Sequence, residues 1–324
     1  MSKTIRWGIL GAANFAREHM GPAIHMAEGA ELAALATSSP EKAGPFAAFA
    51  PGLRLHDSYD ALLADPDIDA VYIPLPNHLH VDWTIKALEA GKHVLCEKPI
   101  TLQAPDFDRL IAARDASGKL AAEAFMIVHH PQFVRARELV QGGAIGNLVH
   151  VDTVFSYNNT DLTNIRNQAE AGGGGLPDIG VYTFGAARFV TGQEPDKILS
   201  ARLRFENGVD VFAQVAADFP GFTYGAIVST RLFNRQEIVF HGDQGLLRLT
   251  CPYNANVHDM PRLEVETAGM TVTSQRYPGI NQYVIQVENF CKSVRDGVAY
   301  PCPLEFSRGT QEMIDMVFAV GGRG

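Results

Sequence analysis

Short apolar runs alternate with amphipathic stretches through roughly the first 120 residues, and this alternation limits the possible folds more than any other feature of the chain. Residues 5–10 form an apolar run that ends at Gly11, and a helical stretch follows at 14–28. The series continues with strand-like residues 31–37, a helix at 41–50, and strands at 69–74 and 93–97. Between the last two, Trp83, Ala87, Leu88 and Ala90 share one helical face that stops at Gly91. A helix at 105–117 and a strand at 119–125 complete the set. Strands separated by helices read as βαβ units, hence as a doubly wound parallel sheet.

The pattern changes after Phe125. One helix is expected at 131–141, closed by Gly142 and Gly143, and a late one at 282–295 with Val284, Val287, Phe290 and Val294 on one stripe. Between them lie strand-like stretches at 148–157, 197–205, 209–218, 226–233, 236–242 and 245–250. Turns such as Glu206-Asn207-Gly208 join them in place of helices, which predicts a mainly antiparallel sheet. The expected architecture is an α/β N-terminal Rossmann dinucleotide-binding domain over residues 1–124. A C-terminal α+β domain with a large, mainly antiparallel sheet follows over 125–324.

Composition narrows the function classes. The 27 basic against 36 acidic residues leave a net charge of −9, so no basic surplus is available for nucleic acid or an anionic membrane. No run approaches the length of a membrane-spanning helix, and the N-terminus shows no secretory signal, so a soluble cytoplasmic protein is expected. Cys96, Cys251, Cys291 and Cys302 lack CxxC spacing, and His241 and His258 lack partners at ligand spacing, so no metal is assigned.

The first strand runs directly into Gly11-Ala12-Ala13-Asn14-Phe15-Ala16. Against the dinucleotide pattern G-x-G-x-x-G/A, the first glycine is present, Ala13 replaces the second, and Ala16 is a permitted ending. A tight turn before a helix N-terminus offers free N–H groups to a pyrophosphate. At the end of the second strand, where NAD enzymes carry an acid for the ribose 2′-hydroxyl, the chain has Thr37-Ser38-Ser39-Pro40-Glu41-Lys42. Hydroxyls and a lysine can donate to a 2′-phosphate, which favours NADP over NAD. Ser38 and Ser39 could equally cap the following helix.

Four further segments stand out: Ile73 through His80 (IPLPNHLH), Ala90 through Pro99 (AGKHVLCEKP), Gly173 through Tyr182 (GGGLPDIGVY), and Asn281-Gln282-Tyr283 with the later Pro303-Leu304-Glu305. With Arg6-Trp7-Gly8-Ile9-Leu10-Gly11 at the start, the chain resembles the glucose-fructose oxidoreductase, inositol dehydrogenase and rhizopine-catabolism family over nearly its whole length. Tyr182, where inositol dehydrogenases carry histidine, is similar to the branch of aldose dehydrogenases, glucose-fructose oxidoreductase and dihydrodiol dehydrogenase. The opening Arg6-Trp7-Gly8 and Ala16-Arg17-Glu18 also resemble 1,5-anhydrofructose reductase.

The resemblance implies that Tyr182 moves a hydroxyl proton while Lys98 assists, with Asp178 binding substrate or orienting Lys98. The physics is consistent. A free tyrosine titrates near 10, and lowering that by about 2–3 units requires about 3–4 kcal/mol of preference for phenolate. A unit charge about 5 Å away at an effective dielectric of about 20 supplies roughly 3 kcal/mol. The resemblance also places Pro74, Leu75, Asn77, His80, Glu97 and Lys98 along the cofactor, adding to Gly11, Ala12, Ala13, Asn14, Phe15, Thr37, Ser38, Ser39 and Lys42. Asn164 and Arg166 match an Asn-x-Arg segment of the branch, with Arg166 expected at the cofactor or the sugar.

The expected activity is NADP-dependent hydride transfer at the anomeric carbon of an aldose, with a sugar or polyol as substrate. The alternatives are a dihydrodiol dehydrogenase, a dicarbonyl reductase of the 1,5-anhydrofructose type, or a non-catalytic NADP-sensing regulator. The resemblance further implies a homodimer or homotetramer.

Overall fold

The computed structural model describes residues 3–322. They form two compact units, one of residues 3–126 with 281–307 and the other of 127–280 with 308–322. The first unit returns to the chain after the second, which a linear division of the sequence does not anticipate.

In the first unit the strands are β1 (Ile5–Leu10), β2 (Ala30–Ala36), β3 (Arg54–His56), β4 (Ala70–Ile73), β5 (His93–Cys96) and β6 (Ala121–Glu123). They pair in the order β3-β2-β1-β4-β5-β6, all parallel. The helices are α1 (Gly21–Met26), α2 (Pro40–Ala47), α3 (Tyr59–Leu63), α4 (His80–Glu89) and α5 (Asp106–Ser117). Strand order reverses between β1 and β4, and ligands of such sheets bind beyond the strand C-termini at that point. The sheet is buried on both faces, with Ile9, Leu35, Val71 and Leu95 fully enclosed. Residues 281–307 belong to this unit because they carry apolar groups that its core needs: Phe290 packs on Trp7 with ring centroids 4.9 Å apart.

The second unit contributes α6 (Pro131–Gln141), β7 (Leu148–Asn158), α7 (Val181–Thr191), β8 (Lys197–Glu206), β9 (Val209–Phe219) and β10 (Phe222–Ser229). β11 (Arg231–Gly242), β12 (Gly245–Leu249), β13 (Arg262–Thr267) and β14 (Thr271–Arg276) follow. Late in the chain, α8 (Gln282–Asp296) lies in the first unit, and α9 (Leu304–Gly321) runs from the end of the first unit into residues of the second. The sheet order is β14-β13-β12-β11-β7-β10-β9-β8, antiparallel except where β10 runs parallel to β7. The strand expected at 226–233 is divided. Ser229 turns the chain by donating to the Val211 carbonyl (2.9 Å) and accepting from the Arg231 N–H (3.0 Å), so β11 starts at Arg231. Helix α7 is enclosed from Val181 to Val190 and is the apolar support of the sheet's inner face. Among the described residues no helix is long and apolar enough to cross a membrane.

Candidate active site

The chain turns at Gly11 as β1 ends. Gly11 has φ +104°, and a Cβ there would meet Leu75 Cδ2 at 3.1 Å and the Tyr59 hydroxyl oxygen at 3.3 Å, so glycine is required. Its N–H donates to the Ala36 carbonyl (2.9 Å), which ties the turn to β2. Ala12 and Ala13 are half-buried and Asn14 is exposed, and a wide (π) turn over Ala16–Met20 leads into α1. Phe15 meets His19 in a tilted contact (ring centroids 4.9 Å) and Tyr283 edge-on (5.6 Å), and those two rings touch each other at 5.4 Å. This is a strand–turn–helix with a side-chain-free corner at the switch point of a parallel sheet, so its shape fits a dinucleotide pyrophosphate.

Beyond β2, Thr37 Oγ1 accepts from the Ser39 N–H (3.1 Å), while Ser38 and Lys42 are exposed. Ser39 occupies the N-cap of α2 but its side chain makes no capping bond, so its hydroxyl is not consumed by the helix. These hydroxyls and the ammonium suit a ribose 2′-phosphate, and no carboxylate sits at the strand end itself.

The loops after β4 and β5 are joined by buried polar contacts. Tyr72 Oη donates to Glu97 Oε1 (2.6 Å), and Glu97 Oε2 accepts from the Lys98 N–H (3.2 Å). Burial and the Glu97 charge push the Tyr72 phenol well up, so it remains a donor. His80, expected along the cofactor, is 0% exposed. Its Nδ1 lies 2.8 Å from the Pro99 carbonyl oxygen and its Nε2 2.7 Å from that of Leu75. Burial foremost, with Lys98 adding, lowers its pKa. With both ring nitrogens on main chain, His80 shapes the loops holding Leu75 and Lys98; it does not present a donor to a ligand. Glu123, also buried, accepts from the Ile100 N–H (2.9 Å) and holds the far side of the same turn.

In the second unit the glycine run ends in another wide (π) turn, Leu176–Gly180, that leads into α7. It presents Asp178 and Tyr182 one turn apart. Asp178 Oδ1 pairs with Arg166 Nε (3.0 Å) and Oδ2 accepts from Tyr157 Oη (2.5 Å). Arg166, expected at the cofactor or sugar, is thus engaged by Asp178, whose charge raises the guanidinium's pKa further. Burial and the same carboxylate raise Tyr157. Asn164 caps the turn that carries Arg166 by accepting from its N–H (3.1 Å). Tyr182 is 6% exposed, with the rings of Phe155 and Tyr253 at 5.8 and 5.9 Å. Phe155 and Tyr253 stack on each other at 4.8 Å, and Tyr253 Oη meets Thr153 Oγ1 at 2.5 Å. The result is an aromatic pocket for the Tyr182 phenol beside an ion pair whose carboxylate is buried and whose guanidinium is half-buried.

Arg231 supports this arrangement. Its guanidinium donates to Glu206 Oε2 (2.7 Å), Asn167 Oδ1 (3.1 Å) and the Asn159 carbonyl, which fixes the loop bearing Arg166. Tyr157, Arg231, Tyr253 and Asp210 all escape sequence reasoning. One available signal was parity, since Phe155 and Tyr157 lie two apart on one strand face. Another was an acid between Val209 and Val211 in a strand that is otherwise apolar there.

Comparison with known proteins agrees with this fold. An oxidoreductase family with an NAD-binding Rossmann fold matches residues 5–125, and the GFO/IDH/MocA C-terminal domain matches 133–248. The dTDP-3,4-didehydro-2,6-dideoxy-alpha-D-glucose 3-reductase of Saccharopolyspora spinosa is 34% identical over 100% of this chain and 98% of that protein. D-xylose 1-dehydrogenase (NADP+) 2 of Haloferax volcanii is 32% identical over 96% of both chains. The crystal structure of a 3-ketoreductase from Actinomadura kijaniata in complex with NADP and TDP-benzene superposes with a TM-score of 0.90 at 30% identity, covering 98% of each chain. The chain therefore belongs to the GFO/IDH/MocA family, whose members are NAD(P)-dependent oxidoreductases.

Proposed function

We propose that this enzyme uses NADP to move a hydride to or from the anomeric carbon of an aldose, with Tyr182 as proton donor and acceptor and Lys98 assisting it. The observation that carries this reading is the setting of Tyr182, a nearly enclosed phenol in an aromatic pocket one turn from the Asp178–Arg166 pair. Bound NADP supplies the hydride acceptor or, when reduced, the donor. The Gly11–Asn14 turn and Phe15 hold its pyrophosphate side, and Thr37, Ser38, Ser39 and Lys42 take the 2′-phosphate. Pro74, Leu75, Asn77, Glu97 and Lys98 line the ribose and nicotinamide side, with His80 bracing them from behind.

In the oxidising direction Tyr182 Oη takes the hydroxyl proton as the carbon loses its hydride and the C=O bond forms. In the reducing direction it returns that proton to the oxygen. The cation of Lys98 favours the phenolate, as does that of Arg166, whose titration responds to Tyr182. Asp178, paired with Arg166 and Tyr157, keeps the guanidinium fixed and has lone pairs left to accept from a sugar hydroxyl.

A second reading is reduction of a ring ketone on a nucleotide-linked sugar, favoured by the full-length likeness to the 3-reductase and by the superposition on the 3-ketoreductase. An absorbance assay near 340 nm separates the two. NADPH formation with NADP and one aldose supports the first, and inhibition by thymidine diphosphate moves the assignment to the second. Turnover confined to dihydrodiols or dicarbonyls overturns the sugar reading, and absence of turnover with all of them leaves an NADP sensor. A homodimer or homotetramer is part of the same proposal, checked by light scattering of the eluted protein.

A further inference from the structure

The turn that launches the helix bearing Asp178 and Tyr182 is seated on a buried carboxylate which the chemistry above does not use. Asp210, near the start of β9, is 3% exposed. Its Oδ2 accepts from the Leu176 N–H at 2.7 Å, and the N–H groups of Gly175 and of Asp210 itself also bond to the carboxylate. The glycines opposite leave space for it. A Cβ on Gly174 would lie 2.3 Å from Asp210 Oδ1, and one on Gly175 would lie 3.1 Å from Oδ2. Gly174 also has φ +133°, a conformation other residues rarely adopt. Its carbonyl then accepts from the Asp178 N–H (3.1 Å), so the seated turn continues directly into the residue that pairs with Arg166.

We infer that Asp210 is a positioning residue: its carboxylate seats the Gly174–Leu176 turn and thereby sets the stance of Asp178 and Tyr182. The inference rests on the proton-transfer role proposed for Tyr182. It also accounts for Gly174 and Gly175, the two glycines of the run that face the carboxylate.

The surroundings of the carboxylate make its charge sensitive to pH. Burial foremost, with the charge of Asp178 adding, outweighs the backbone donors and pushes Asp210 up to about 7. From β8 its register partner is Phe205, and from β10 Val228 lies nearest Gly175, so those neighbours bring no charge. Asp178 is the titratable group facing it from the turn, and Asp178 is itself paired with Arg166. On protonation one oxygen of Asp210 becomes a donor and loses acceptor capacity toward the three N–H groups. Acidification through pH 7 therefore loosens the seat.

The test compares wild type, Asp210→Asn, Gly174→Ala and Tyr182→Phe by kcat and KM from pH 5.5 to 9, with a carboxyl ¹³C NMR titration of Asp210 in wild type. The expected wild-type kcat falls on the acid side of an inflexion near 7 that coincides with the Asp210 titration. Asp210→Asn, which turns an amide N–H toward backbone donors, abolishes that inflexion and lowers kcat roughly ten- to a hundredfold, while KM for NADP stays within about twofold. Gly174→Ala gives the same kcat loss with the carboxylate intact, and it carries the test if the asparagine variant does not fold. Wild-type kcat and pH profile in both variants, while Tyr182→Phe abolishes turnover, overturn the positioning role and leave the proposed function standing. An Asp210 carboxyl that titrates below 5 with no matching kcat step overturns it as well. Turnover retained by Tyr182→Phe overturns the functional reading and the inference with it.

Discussion

In the first unit the residues assigned to chemistry stand where parallel strands end: Gly11 after β1, Thr37 after β2, Pro74 after β4, and Glu97 and Lys98 after β5. In the second they are drawn from segments far apart in the chain, with Tyr157 closing β7, Arg166 in a loop, Asp178 and Tyr182 at a helix start, and Asp210 on β9. A parallel sheet delivers strand ends to one edge by topology, so short local motifs specify most of that site. A mainly antiparallel sheet brings partners together through register and loop closure, and side-chain bonds between distant positions must do the specifying. Both units nonetheless begin the relevant helix with a wide turn, Ala16–Met20 in one and Leu176–Gly180 in the other. Such turns recur at functional sites.

The largest effect expected is from Tyr182→Phe, which tests whether the second unit holds the proton-transfer group. Turnover should fall by about 10²–10⁴-fold. NADP affinity, assigned to the first unit, should be unchanged when measured by fluorescence titration. A matched weakening of NADP binding would break the separation of roles.

A paired deletion sharpens the comparison. Each unit has a tyrosine hydroxyl donating to an acid beside the site, Tyr72 to Glu97 and Tyr157 to Asp178. Removing either hydroxyl deletes a bond to a charged group worth about 1.5–3 kcal/mol. Tyr72→Phe should raise KM for NADP and spare that for the sugar, and Tyr157→Phe should do the reverse. Identical kinetic phenotypes would show that the division between units does not extend to function.

What the sequence made legible follows the same division. The Rossmann alternation, the Gly11 turn and the strand-end motifs were readable because apolar periodicity and glycine placement report directly on a buried parallel sheet. The hairpin β13–β14 was not anticipated, since β14 is almost wholly exposed and Thr271 to Arg276 shows no apolar alternation. Helix α9 does carry a sequence signal, with Glu305, Arg308, Glu312 and Asp315 at helical spacing along one polar face. Asp178 and Tyr182 could be placed on one helix face. Tyr157 and Asp210 leave only local hints, strand parity and a lone acid among valines, and joining them and Arg231 to Asp178 and its turn requires the register of β7, β9 and β11.

Acid should act on both units through neutral histidines, buried at His129 and His130 and half-buried at His93. Burial pushes His129 down to about 3 and His130 to about 4 in the second unit, and His93 to about 4 in the first. Below the ordinary histidine value of about 6.5 the unfolded chain takes up protons that the folded chain refuses, so stability is present above that value and falls as pH drops toward 4. Between pH 7 and 5 a single such group costs about 2 kcal/mol. In urea denaturation, His129→Leu should reduce the acid-induced loss by about that amount. An unchanged difference between pH 7 and 5 would assign the loss to the other histidines.

The smallest effect concerns the choice of cofactor. Lys42 is exposed at the start of α2, so its pairing with a 2′-phosphate is screened, and the hydroxyls of Thr37, Ser38 and Ser39 share the load. Lys42→Ala should therefore cost roughly tenfold in kcat/KM for NADP, about 1.4 kcal/mol, and leave NAD unaffected. Salt should narrow the gap between wild type and variant, because a charge pair is screened and a hydroxyl bond is not. If Lys42→Ala leaves the NADP to NAD ratio unchanged and Ser39→Ala collapses it, the uncapped serine is the selecting group. Selection by a strand-end hydroxyl would sharpen the contrast with the second unit, where an ion pair and a buried carboxylate order the site.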